Sequence, residues 1–168
     1  MVANAVGMVL FPAMMAFAAS SDLLTLTISN RVSLILLAGF FALALMTGMS
    51  GTDILWHIAA GGAVLAAAFG CFTMGWIGGG DAKLAAAAAL WLGFDHLLIY
   101  LIYASLFGGA LTLLLIQFRT MALPPFLAAL EWVERLHRQD SGVPYGIALA
   151  AAALCLYPDT AWMKAAAM

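Results

Sequence analysis

The feature that most limits what this chain can fold into is its succession of long apolar runs. Each approaches the roughly 17 to 25 residues that carry a helix across a bilayer. They extend from about Asn4 to Ala19, Val32 to Met46, Ile54 to Ile77, Leu97 to Gln117 and Val143 to Pro158, with a shorter run from Leu84 to Phe94. Hydrophobic residues make up 66% of the 168 and charged residues 8%, with a mean hydropathy of +1.09. A water-soluble domain of this size leaves too much of its surface exposed to hide that content. The expected fold class is therefore all-α, a polytopic membrane bundle of about six transmembrane helices forming a single domain over residues 1–168. A net charge of -2 gives no ground for a nucleic-acid partner.

The first run carries Pro12 as a kink position. Ala16-Phe17-Ala18 mimics the cleavage site of a secretory signal, but no Lys or Arg precedes Arg31 to supply a basic n-region, so the run is expected to be a retained helix. Cys71 and Cys155 are the only cysteines and fall near opposite membrane faces, which argues against a disulfide. No CxxC pair and no His/Cys cluster is present, so neither a structural metal nor a cofactor is expected.

Against this background Met74-Gly75-Trp76-Ile77-Gly78-Gly79-Gly80-Asp81-Ala82-Lys83-Leu84 stands apart. Consecutive glycines weaken a helix, and a carboxylate at or inside a membrane is by default a functional-site candidate. A second such carboxylate, Asp22, closes the polar stretch Ser20-Ser21-Asp22 after the first run. The run from Leu84 to Phe94 gives only about 16 Å of helix against a core of about 30 Å. If its far end reaches the opposite interface, Asp81 starts in a recess.

The basic residues set an orientation. Arg31, Lys83, Arg119, Arg135 and Arg138 fall on one side of a six-helix arrangement, and Asp53, Asp95 and Asp159 on the other, with Lys164 the exception. The positive-inside rule then puts both termini outside and segments 20–31, 78–83 and 118–142 in the cytoplasm. Asp22 and Asp81 therefore share one face. Within the last segment Leu127, Leu130, Val133 and Leu136 recur every three residues, opposite Glu131, Glu134, Arg135 and Arg138. That pattern suits a helix in the interface and equally a solvated loop helix.

Two carboxylates sharing a site cannot both ionise cheaply, so the pair holds one proton between them. One takes a proton from water while the other protonates a peptide carbonyl, which is hydrolysis by general acid–base catalysis. Glycines at 78–80, lacking Cβ atoms, admit an extended substrate backbone close to Asp81. Taken singly, each feature has a plainer account: an interfacial charge for Asp22, close helix packing for the glycines, a snorkelling side chain for Lys83.

Three stretches together carry a resemblance. Gly78-Gly79-Gly80-Asp81-Ala82-Lys83-Leu84 fits the GxGD-x-K-L motif of the type IV prepilin leader peptidases, which are membrane aspartyl proteases. Asp22 to Asn30 resembles that family's first catalytic aspartate and the Ile-Pro-Asn-type segment after it, with Ser29 where proline is usual. Pro144-Tyr145-Gly146-Ile147-Ala148 is similar to the opening of the family's last helix. The resemblance implies Asp22 and Asp81 as the catalytic pair. It implies Gly78, Gly79, Gly80, Lys83, Asn30, Pro144, Tyr145 and Gly146 as positions that bind substrate or shape the site. It also implies a prepilin-like substrate with a short basic leader ending in Gly before an apolar helix, cut at the cytoplasmic face of the bacterial plasma membrane. The chain lacks the cysteine-bearing insertion of the longer, methylating members and looks like the short peptidase-only form of Flp/Tad-type pili. Two other readings stay open. Presenilin-like and signal-peptide peptidases share GxGD, but their Tyr-Asp and Pro-Ala-Leu motifs are missing here. A non-enzymatic scaffold or small transporter is the other, although a transporter would show broken helices in both halves.

Overall fold

The apolar runs fold as helices because a chain without water must satisfy its own backbone donors and acceptors. A computed structural model describes residues 2–166, and no strand occurs among them. The helices are α1 (Val2–Thr25), α2 (Asn30–Met46), α3 (Gly51–Thr73), α4 (Gly79–Thr120), α5 (Pro125–Ala128), α6 (Glu131–His137), α7 (Tyr145–Leu156) and α8 (Ala161–Ala166), with a 3₁₀ turn at Tyr157–Asp159. Three segments are long and apolar enough to cross a membrane: Val6–Thr25, Gly51–Thr73 and Gly79–Thr120. Asn30–Met46 and Tyr145–Asp159 are apolar but shorter.

The six separate helices expected from the runs are not reproduced one for one. The fourth and fifth run together as α4, interrupted at Gly93, whose φ of 66° and ψ of -179° lie outside the helical region. An interruption leaves carbonyls without their i+4 donors. The Leu90 carbonyl is met instead by His57 Nδ1 of α3 at 2.7 Å. A Cβ on residue 93 would sit 3.0 Å from His57 Cε1, so glycine is required there by backbone conformation and by space alike.

The helix also starts at Gly79 instead of Leu84, so its first segment rises about 21 Å to the break. The 11-residue helix that placed Asp81 in a recess is thus lengthened, and Asp81 is partly shielded by packing at the helix start. Likewise α1 does not stop at Ala19 but continues through Ser20, Ser21 and Asp22 to Thr25. The serine and threonine hydroxyls of this last stretch bond inward to carbonyls one turn back, Ser20 to Ala16 and Thr25 to Ser21, which spares the helix their competition.

Packing is tightest at the end of the bundle away from Asp22. Trp91 donates to the Leu36 carbonyl at 3.0 Å, Trp162 to the Trp91 carbonyl at 2.9 Å, and Tyr157 to the Gly7 carbonyl at 2.6 Å. Phe11 stacks on Tyr157 with ring centroids 4.5 Å apart. These three aromatic donors have partners while their rings fill the core, whereas the hydroxyl of fully buried Tyr100 has none among the described residues. These bonds tie α1, α2, α4 and the C-terminal helices into one body.

The segment from 118 to 142 is two short helices, not one. Leu130 starts α6 from an extended conformation, so the spacing of three is broken there. Val133 and Leu136 are buried, whereas Leu130 is exposed. Arg119 pins the segment, donating to the carbonyls of Leu136, Ser141 and Gly142 and to Ser141 Oγ.

Candidate active site

Helix α1 ends one turn after Asp22. The amide of Leu26 closes back on the Asp22 carbonyl at 2.8 Å, and Leu26 takes the left-handed conformation, φ 54°. Glycine is the usual residue at such a helix end, and leucine there is strained. Around it the loop is tied by Ser21 Oγ to the Thr27 carbonyl at 2.9 Å and by the Thr25 and Thr27 hydroxyls at 2.7 Å. Arg135 of α6 donates to the Leu24 carbonyl. The result is a reversal that folds Ile28 back toward the end of α1.

Ile28 is the contact on which the site is assembled. A Cβ placed on Gly80 would lie 3.1 Å from Ile28 Cβ, and one on Gly146 would lie 2.7 Å from Ile28 Cδ1. Two glycines from distant parts of the chain thus close on one side chain, and neither position has room for a larger residue. The Gly146 amide, at the start of α7, donates to Asp22 Oδ2 at 2.7 Å. Asp22 is 5% exposed, one of two buried polar side chains among the described residues. A buried charge needs partners, and this amide at the positive end of α7 is one.

Asp81 occupies the third position of α4, and Gly78 is its N-cap. A carboxylate three residues into a helix is placed to reach back toward the N-cap residue, and the Asp81 carboxylate lies beside Gly78. A Cβ on Gly78 would come within 2.9 Å of Asp81 Oδ2. The Asp22 charge acts on Asp81, so the two carboxylates lie in one electrostatic site.

The other anticipated residues divide. Lys83 Nζ donates to Asn30 Oδ1 at 2.8 Å, joining the first turn of α2 to that of α4. Gly79 abuts the Phe72 ring of α3, a packing role. Pro144 is fully buried and caps α7, which fixes where the Gly146 amide points. Tyr145 faces away, with its ring against Gly108 and its hydroxyl 3.2 Å from Thr112 Oγ1. Ser29 has φ -64° and caps α2 by accepting from the Arg31 amide at 3.3 Å. That φ is the value a proline ring imposes, so serine keeps the turn and adds a cap.

Ile28 and Leu26 were not among the anticipated site residues. A half-buried isoleucine in a loop has no chemical signature, and nothing but the fold reveals that two glycines converge on it. His57 was missed for the same reason. Among the described residues no group of three His, Cys, Asp or Glu could hold a metal ion.

The model of the type IV leader peptidase family matches residues 9–113. That span holds Asp22, Asn30 and the stretch from Gly78 to Lys83, while Gly146 lies beyond it. Neither the curated proteins nor the solved structures yield a match to this chain.

Proposed function

The chain belongs to the type IV leader peptidase family, and from that premise we propose that it is an aspartic endopeptidase whose acid pair is Asp22 and Asp81. The observation that supports this reading is that Gly80 of α4 and Gly146 of α7 close on Ile28, with the Gly146 amide on Asp22 and the Asp22 carboxylate near enough to act on that of Asp81. In the reaction, the ionised member takes a proton from a water molecule whose oxygen bonds to the scissile carbonyl carbon. The protonated member gives its proton to the carbonyl oxygen. The tetrahedral diol then collapses, the C–N bond breaks, and the leaving nitrogen collects a proton from the pair. No metal takes part. The backbone around Gly78 to Gly80 offers an edge without Cβ atoms for an extended peptide.

The substrate is a prepilin-like protein whose short basic leader precedes an apolar helix, as in the Flp/Tad type of pilus. A six-helix reading, with the kinked α4 counted as two, places the acid pair and segments 20–31, 78–83 and 118–142 on the cytoplasmic side of the plasma membrane and both termini outside. Arg31, Lys83, Arg119, Arg135 and Arg138 support that orientation.

The test is to express Asp22→Asn and Asp81→Asn separately with a prepilin-like substrate carrying a Gly-terminated basic leader. Each variant is expected to accumulate in membranes at the wild-type level and to leave the leader uncut. Cleavage at the wild-type rate by either one overturns the aspartic mechanism.

A further inference from the structure

Helices α2 and α3 are joined by only four residues, yet α3 packs chiefly on α4, and α2 lies against both α1 and α4. The gap between them is a groove of about 560 Å³ with Ala86 and Leu90 of α4 as its floor and Leu37 and Leu65 on its walls. Its lining is apolar except at one end, where Asn30, Ser33 and Lys83 stand.

This groove does not open onto the acid pair. Lys83, Ala86, Ala87 and Leu90 share one face of α4 by their spacing. Asp81 lies two residues before Lys83, about 200° around the helix. A peptide lying in the groove would have α4 between itself and Asp81, so the groove fits an occupant other than the segment to be cut.

The chemistry at the polar end selects an anion. Lys83 uses one N–H on Asn30 and keeps two. Neither Lys83 nor Arg31, next to Asn30, has a carboxylate partner among the described residues. The N-termini of α2 and α4 meet here and add positive potential. Ser33, one turn further along α2, lines the same end of the groove. From Asn30 to Phe41 the groove follows α2 for about 16 Å, close to the depth of one leaflet of a hydrocarbon core about 30 Å thick.

We infer that the α2–α3 groove binds an anionic glycerophospholipid, with one acyl chain between the helices and the phosphate at Lys83 and Asn30. A lipid held there braces the first turn of α4, which carries Asp81.

The experiment uses the full chain in detergent with no substrate, so its outcome is independent of cleavage and is repeated on Asp22→Asn. Phosphatidylglycerol and phosphatidylcholine of the same chain length are titrated, and bound lipid is counted by native mass spectrometry. Wild-type protein is expected to prefer phosphatidylglycerol about fivefold, the contribution of a single cation at a membrane surface. Lys83→Gln should lose that preference. Gly62 lines the groove and a Cβ there meets nothing within 4 Å, so Gly62→Leu and Gly62→Trp should occupy groove volume and displace both lipids. Equal binding of the two lipids by wild type overturns the inference, as does undiminished binding by both folded Gly62 variants. A substrate helix that cross-links at residue 62 while phosphatidylglycerol fails to compete also overturns it.

Discussion

Ile28 and Gly80 are in contact at the closest approach two backbones allow with only one Cβ between them: a second Cβ, on residue 80, would lie 3.1 Å from that of Ile28 and 3.5 Å from its backbone nitrogen and oxygen. The pair joins the loop after Asp22 to the turn that carries Asp81. On the proposed acid pair, widening this contact would disturb the spacing of the two carboxylates.

Gly80→Ala is accordingly expected to reduce kcat by tenfold or more, from about 1 to 3 kcal/mol of overpacking delivered at the site. Because the crowded atoms are a β-carbon and main chain, trimming Ile28 to alanine should not rescue it. Initial rates of leader cleavage for Gly80→Ala and for the Gly80→Ala/Ile28→Ala pair decide this. Recovery in the double variant means that the outer part of the isoleucine, not its Cβ, sets the spacing.

The proposed acid pair, holding one proton between two carboxylates, should give a bell-shaped dependence of kcat/KM on pH, with two limbs that belong to the pair and to neither residue alone. Activity should be unchanged by EDTA. A profile with a single limb, or loss of activity on chelation that zinc restores, contradicts the acid-pair mechanism.

The Leu90 carbonyl depends on His57, and His57→Ala should destabilise the protein by about 1 to 3 kcal/mol, the penalty for an unpaired buried acceptor. Gly93→Ala should do comparable harm, since alanine would be held at φ 66° with its Cβ against the same imidazole. Thermal unfolding in detergent measures both. The double variant His57→Ala/Gly93→Ala should be less unstable than the sum, because removing the ring makes space for the new methyl.

The acidic residues near the site should act unequally on a basic leader. Asp140 is held by Arg138 through two bonds of 3.0 and 2.7 Å. That bond keeps its carboxyl below the usual aspartate value. The pair is therefore closed at every pH above the ordinary aspartate value and opens only as pH falls through the lowered one. Both groups are exposed, and such a pair contributes little to stability. Glu131 and Glu134, in the first turn of α6, form no ion pair among the described residues. Neutralising both should lower kcat/KM a few-fold at low salt and hardly at all at high salt, with kcat intact. Asp140→Asn should change neither constant. Equal effects from all three would mean that the charge of the segment matters and its pairing does not.

Much of this was legible in the sequence, and the limits are physical. The apolar runs fixed the helical class because few other structures satisfy a backbone in lipid. The two aspartates and the glycine run stood out because charge and missing side chains are both expensive in such a helix. Helix ends were harder. Ser20, Ser21 and Asp22 look like a membrane edge, yet α1 continues through them, with the Ser20 hydroxyl bonded one turn back and that of Ser21 bonded forward to the Thr27 carbonyl. Gly93 looks like any glycine in an apolar run, and the residue that makes its break tolerable is His57 of another helix. The spacing of Leu127, Leu130, Val133 and Leu136 suggested one helix, but Pro124-Pro125 confines the first turn and Leu130 is extended. Contacts such as those of Ile28 exist only once three distant segments have met.

The bond from Gly146 to Asp22 also sets a schedule. Its ends are 124 residues apart, so at 5 to 20 residues per second a growing chain needs on the order of ten seconds to make the second after the first. In about the last half of that interval both acid-bearing turns have been made, while the amide that meets Asp22 has not been synthesised. The half-made chain therefore holds both acids without the arrangement that makes them useful. On the proposed acid pair, cleavage would have to wait until α7 is in place, so a nascent chain would be inactive until it is nearly complete.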